Sequence, residues 1–254
     1  MIEAWHLPLL FGTGFVAGFV DSVAGGGGLI TVPVLLSFGL EPRDALGANK
    51  LQATFGSGSA TWHYARGRAV DLSECGRGFV VTFLAAAAGA WLVQILPQDV
   101  LTWLIPFLLI AVAIYSLLRP NLGHFDLEPR MSRPRFDLLF GLLIGFYDGF
   151  FGPGTGTFWA MAFVLVMGFN FTKATANTKV MNFASNVGSL LVFLVGGHVL
   201  PMLVPGVVMG LGQLLGARIG SRTVIKHGVR FIRPVFISVV LALTLKLLYD
   251  AYAG

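Results

Sequence analysis

Two acidic residues stand where charge is costly. The run Phe19-Val-Asp-Ser-Val-Ala-Gly-Gly-Gly-Gly-Leu-Ile-Thr-Val-Pro33 places Asp21 in an apolar stretch that Gly25, Gly26, Gly27 and Gly28 then interrupt. Half a chain later, Phe146-Tyr-Asp-Gly-Phe-Phe-Gly-Pro-Gly-Thr-Gly-Thr-Phe-Trp159 repeats the plan with Asp148 and a break from Gly152 to Gly156. A glycine break inside an apolar segment frees backbone N–H and C=O groups, which in lipid must find protein, water or a ligand. A half-helix that restarts there points N–H groups and the positive end of its dipole inward, which suits an anion. Thr155 and Thr157 add hydroxyl donors between Gly154 and the restarting helix. The structural alternative is that glycine serves only sharp turns and close packing.

The segment after each break is polar for a membrane span. Lys50, Thr54, Ser57, Gly58 and Thr61 in the first half have the same spacing as Thr178, Asn182, Ser185, Asn186 and Ser189 in the second. That spacing lays a polar stripe along one helical face. Asn49, Gln52 and Asn177 lie beside the stripe, and Lys179 takes the place of Leu51. Serines and Gly58 serve equally well to pack helices. Lys50 and Lys179 point to function, because an ammonium inside a span is expensive, unless it snorkels to the surface. The expected substrate-binding set is therefore Gly25–Gly28, Asn49, Lys50, Gln52, Gly154, Thr155, Gly156, Thr157, Asn177, Lys179 and Asn182. For Asp21 and Asp148 two roles stay open: capping the freed N–H groups, or carrying a coupling proton.

The elements that must hold these residues are membrane helices. The chain is 56% hydrophobic and 11% charged, against roughly 25% charged in ordinary soluble domains, and its mean hydropathy is +0.79. A net charge of +5 reflects basic cytoplasmic loops rather than nucleic-acid binding. Met1-Ile-Glu-Ala-Trp-His lacks the positive start of a signal peptide, so the first apolar run is expected to stay. Apolar segments are expected from Leu7 to Val23, Leu29 to Leu40, Ala45 to Ala65, Gly78 to Leu96 and Val100 to Leu118. After a polar linker they resume from Phe136 to Phe151, on to Phe169, and then as Lys173–Val195, Val199–Gly216 and Phe231–Tyr252.

The predicted fold is an all-α polytopic membrane protein. Repeats at 1–118 and 136–254, joined by a cytoplasmic linker at 119–135, would each hold a broken helix hairpin plus three transmembrane helices. The odd number of crossings makes the second copy enter from the opposite face, an inverted repeat. One set of loops then collects Arg66, Arg68, Arg77, Arg119, Arg130, Arg133, Arg135, Lys173, Arg218, Arg222, Lys226, Arg230 and Arg233, and the other Glu3, Glu41, Arg43, Asp44, Asp99, His198 and Asp250. Positive-inside places the basic set in the cytoplasm and both termini outside it.

Catalysis, a cofactor and a metal are not expected. The histidines lack metal-site spacing and no His/Ser/Asp set shares a segment. No Gly-Lys-Ser/Thr follows the glycine run, so it is not a P-loop. Cys75, the only cysteine, leaves no intramolecular disulfide.

These residues resemble the TauE/SafE family of sulfite and organosulfonate exporters. The resemblance rests on Gly18-Phe-Val-Asp-Ser-Val-Ala-Gly-Gly-Gly-Gly28, Gly47-Ala-Asn-Lys50, Gly152-Pro-Gly-Thr-Gly156 and Thr175-Ala-Asn-Thr-Lys179. It covers nearly the whole chain and implies an inner-membrane transporter of small anions, with sulfite, sulfoacetate or related sulfur compounds as cargo. The second break carries Pro153 and threonines where the first has only glycine, so the two halves are not expected to contact substrate identically. Half-helix ends would hold the anion's oxygens, Lys50 and Lys179 would supply charge, and Asn49, Asn177 and Asn182 would orient the ligand. The expected partners are that anion, the lipid bilayer, a coupling proton or sodium ion and a second copy in a homodimer. A passive anion channel, a membrane-embedded enzyme and a metal-cation permease remain the alternatives.

Overall fold

The computed structural model describes residues 3–118 and 127–227, which hold helices and no strand. In chain order these are α1 (Leu7–Ala24), α2 (Gly28–Ser37), α3 (Pro42–Arg66), α4 (Gly76–Ile95), α5 (Gln98–Leu118), α6 (Arg133–Phe150), α7 (Thr155–Leu165), α8 (Phe171–Val195) and α9 (Leu203–His227). Local signals set the starts. Pro42 sits in the first turn of α3 with Asp44 behind it, a ring that needs no N–H partner and an acid that suits the dipole. Asn170 caps α8 by accepting from the Lys173 N–H at 3.0 Å.

Several boundaries differ from the sequence expectation. α2 stops at Ser37 rather than Leu40, because the chain turns through Gly39 at a φ of +74°. α9 continues beyond Gly216, so Arg218, Arg222 and Lys226 extend a helix rather than occupy a loop. The stretch expected as linker is partly ordered into the fold: α6 already begins at Arg133. Leu127 and Arg130 donate their N–H groups to the carbonyls of Gly168 and Val166, at 2.7 and 2.8 Å. The span expected at Phe231–Tyr252 lies outside the described residues.

Four helical stretches are long and apolar enough to cross a membrane: Ala4–Val23, Leu72–Ile95, Phe171–Val195 and Leu200–Lys226. Their outer faces, with those of α5 and α6, expose Leu84, Trp91, Trp103, Phe107, Leu143 and Val204. So much apolar surface is a liability in water and the ordinary contact surface in lipid. This is a multi-pass membrane protein.

α3 is as long as α8 but far more polar, and its burial explains why. Lys50, Gln52 and Ser57 of α3 and Lys179, Asn182, Ser185 and Ser189 of α8 are buried, on two helices that pack against each other. The polar stripes face protein rather than lipid.

Glycines let the surrounding helices approach to backbone contact. On α6, Gly141, Gly145 and Gly149 lie against α4; on α1, Gly14 and Gly18 lie against α9. A Cβ on Gly149 would come within 2.6 Å of the Ala86 carbonyl carbon, and backbone cannot yield as a flexible side chain can. Small residues at such seams give membrane helices their van der Waals contact. Gly149→Val should therefore destabilise the protein by about 1–3 kcal/mol. Thermal unfolding in detergent checks this, with Gly12→Val as the control, since nothing lies within 4 Å of a Cβ there.

Candidate functional site

The two breaks meet at the centre of the molecule. α1 ends at Ala24; Gly25 follows with φ of +74° and Gly26 with +104°, and in the second break Gly152 and Gly154 have φ of +95° and +85°. Only glycine adopts these values without strain. The loops touch through their backbones: a Cβ on Gly25 would lie 2.5 Å from the Gly156 carbonyl carbon, and one on Gly28 3.1 Å from Pro153 Cα.

Each aspartate pairs with the lysine of the other half. Lys50 Nζ lies 2.6 Å from Asp148 Oδ1, and Lys179 Nζ lies 2.9 Å from Asp21 Oδ2. Both lysine side chains are almost completely buried, at 1% and 0% exposure. Removing an ion from water costs several kcal/mol, recovered only when geometry is good and the remaining hydrogen-bonding capacity is met. Here it is met. Asp148 Oδ2 accepts from the Ser185 hydroxyl, and the Asp148 carbonyl takes a second bond from Lys50 Nζ. Gly152 makes the approach possible, because a Cβ there would stand 2.7 Å from the Lys50 ammonium.

Asp21 also closes its own break. Its Oδ1 accepts the N–H groups of Gly26 and Gly27, both at 3.1 Å. A resident carboxylate thus occupies the N-terminal end of α2, where an external anion was expected. The second break is closed differently. The Thr155 hydroxyl donates to the Gly152 carbonyl at 2.6 Å, and Tyr147 donates to the Pro153 carbonyl at 2.7 Å.

Between the breaks lies a small cavity of about 30 Å³, room for about two water molecules. Of the expected residues, Asp21, Gly26, Gly27, Gly28, Asn49, Asp148, Gly154, Thr155, Gly156 and Asn182 line it. Lys50 and Lys179 stand behind their carboxylates and are not among the lining residues. Gly25 is spent on the contact with Gly156, and Thr157 is fully buried within α7. Gln52 supports the site from outside, donating to Thr31 Oγ1 at 3.1 Å and Asn49 Oδ1 at 2.9 Å.

Asn177 is a correction. It belongs to a separate cluster, where its Oδ1 accepts from Arg133 at 3.4 Å and from the Cys75 thiol. Arg133 in turn pairs with Asp137 at 2.8 Å. Asn177 and Asn182 sit five positions apart on one helix, and at 3.6 residues per turn they face different ways.

The cavity also takes Gly152, Ala53, Asn186 and Gln213, which the expected set left out. Asn186 was already visible in the polar stripe. Gln213 had one signal, a lone carboxamide inside the apolar run Val207-Val-Met-Gly-Leu-Gly-Gln-Leu-Leu215.

Comparison with known proteins agrees with this architecture. The family model described as Sulfite exporter TauE/SafE matches residues 10–247. The chain is 46% identical to Probable membrane transporter protein YfcA of Escherichia coli (strain K12), across 99% of this chain and 93% of that protein. It is 50% identical to Probable membrane transporter protein ORF9 of Sinorhizobium sp, across 97% and 94% of the two chains. A Probable membrane transporter protein of Haemophilus influenzae is 45% identical, across 96% and 95%. No solved structure matches.

The crossed pairs give a stability test. Lys50→Met leaves Asp148 buried without its counter-charge and should cost about 3–5 kcal/mol. Lys50→Met combined with Asp148→Leu removes both charges and should recover most of that loss in denaturant unfolding. A double variant as unstable as the single one would mean that the pair is not the source of the effect.

Proposed function

This chain belongs to the TauE/SafE family of membrane transporters, and we propose that it carries a small sulfur oxyanion, sulfite or an organosulfonate such as sulfoacetate, out of the cell by alternating access. One observation carries this reading: two helix breaks share one buried cavity, and the charged side chains there pair across the halves rather than within them.

In the proposed architecture, residues 1–118 and 136–254 are inverted repeats in the cytoplasmic membrane. Both termini lie on the outer face and the basic loops lie inside. The matched positions of Asp21 and Asp148, and the broken helices that follow them, support the repeat. The cavity of about 30 Å³ lies between the two breaks, where the repeats would share the substrate. Rocking of one repeat against the other opens it to each side in turn.

The electrostatics define the cycle. With both pairs intact the site is neutral, and each lysine already holds an anion, its own aspartate. A substrate anion binds by taking that carboxylate's place. Displacement of Asp148 frees Lys50 for the substrate, and displacement of Asp21 frees both Lys179 and the Gly26 and Gly27 N–H groups. A cation taken up by a displaced carboxylate would give the two aspartates their coupling role.

Proteoliposomes loaded with sulfite should show saturable flux coupled to an ion gradient, whereas ohmic single-channel current would favour a passive channel. Lys50→Ala and Lys179→Ala should each weaken anion binding; variants that bind and transport like the parent would mean the site is misplaced. A thermal shift produced by divalent metals alone would sink the anion reading, since a ligand stabilises the state it binds.

The exchange step predicts a sign. Asp148→Asn should raise affinity for an alkyl sulfonate, because Lys50 no longer holds a competing carboxylate. Weaker binding in Asp148→Asn would contradict carboxylate exchange.

A further inference from the structure

The cavity between the breaks is rich in oxygen acceptors. Asp21 and Asp148 line it, and their lysines stand behind them, so among the described residues no cationic side chain lines it. Gln213 of α9 and Asn182 of α8 line the same cavity at 1% and 5% exposure. Gln213 Oε1 and Asn182 Oδ1 are both buried without a hydrogen-bond partner. Leaving a buried amide oxygen unpaired costs about as much as a lost hydrogen bond, so two in one cavity need a reason.

Glycines fix how these amides sit. A Cβ on Gly56 of α3 would lie 2.9 Å from Gln213 Nε2, and one on Gly156 would lie 3.2 Å from Asn182 Nδ2. The nitrogen of Gln213 is thereby set against α3, and that of Asn182 against the second break. On α1, a Cβ on Gly18 would lie 2.7 Å from Gln213 Cγ. Glycine at positions 18 and 56 leaves the channel along which Gln213 reaches the cavity.

Carbonyl and carboxylate oxygens are the ligands of hard cations. A carboxylate alone would serve a proton, whereas an amide carbonyl is only an acceptor and adds nothing to a proton carrier. Charge decides which cation fits. Each carboxylate is already balanced by its lysine, so the site has no net negative charge to offset a divalent ion. A volume of about 30 Å³, or roughly two water molecules, suits one small ion that keeps a water.

We infer that Gln213 Oε1 and Asn182 Oδ1, beside Asp21 and Asp148, bind a sodium ion taken up together with the transported anion. This rests on the anion reading above and adds to it the identity of the coupling cation and its ligands. When the anion takes Lys50 or Lys179, the displaced carboxylate loses its counter-charge, and the sodium ion supplies another. Each ion then favours the other's binding, and linkage makes the two effects equal. The pair leaves the cell when the anion's outward gradient outweighs that of sodium.

The test measures sulfite and sulfoacetate affinity of the full-length protein in detergent at fixed pH and ionic strength. Sodium gluconate is exchanged for N-methylglucamine gluconate. Sodium should tighten binding to the parent about fivefold or more, as expected of coupled sites, and sulfite should tighten sodium binding by the same factor. Gln213→Leu keeps the volume and removes one ligand, so the sodium effect should shrink toward none. Its thermal stability without ligand should not fall, since the lost oxygen had no partner. Gln213→Glu, which keeps an oxygen there, should retain a sodium effect. If the parent binds the anions equally in both salts, the sodium site is wrong and the anion reading stands. A sodium effect that survives in Gln213→Leu places the ion elsewhere and overturns the assignment. A less stable Gln213→Leu also overturns it, because the amide oxygen was then satisfied within the protein. If the parent binds neither anion in either salt, the anion reading fails and the sodium site falls with it.

Discussion

Two ammonium groups buried at 1% and 0% exposure constrain everything else in this molecule. A charge at that depth is tolerated only with a partner and with its hydrogen bonds satisfied. Lys50 and Lys179 each find theirs in the opposite half, so the halves cannot separate without stranding four charges. Glycine at position 152 serves both its φ of +95° and this contact, since a Cβ there would stand 2.7 Å from the Lys50 ammonium. The polarity of α3 follows too, because a helix that bears Lys50 must turn that face toward protein.

The same pairs explain how a cavity lined by two carboxylates is compatible with anion transport. Each lysine holds an internal anion at rest, and at the first break Asp21 also satisfies the Gly26 and Gly27 N–H groups. In the proposed cycle the substrate replaces these carboxylates instead of entering an empty positive pocket. A resting site of this kind is neutral, which avoids the desolvation cost of an unpaired charge while the cavity is closed.

The halves are alike in plan and different in detail. Asp21 caps its break with a carboxylate, whereas the second break is closed by Thr155 and Tyr147. Asn49 lines the cavity, whereas Asn177 belongs to a cluster with Arg133 and Cys75. Gln213 and the two asparagines of α8 all come from the second half. Charge is supplied by both halves, and the unpaired amide oxygens proposed to hold the cation by one.

The chain alone determined the helices, the two breaks and most of the cavity. Apolar length reports a span, glycine clusters report where a helix must stop, and a charge in an apolar run reports a residue that needs a partner. Boundaries were less legible where polar residues continue a helix, as Arg218 to Lys226 do on α9. The choice of partner was not legible at all. Periodicity shows which residues share a face and not which faces meet, so the crossing of Lys50 to Asp148 and Lys179 to Asp21 came only from the packed structure. Gln213 escaped for a related reason: one amide in an apolar run has no spacing to betray it. Its place depends on Gly18 and Gly56, two gaps on other helices that come together only when α1, α3 and α9 pack.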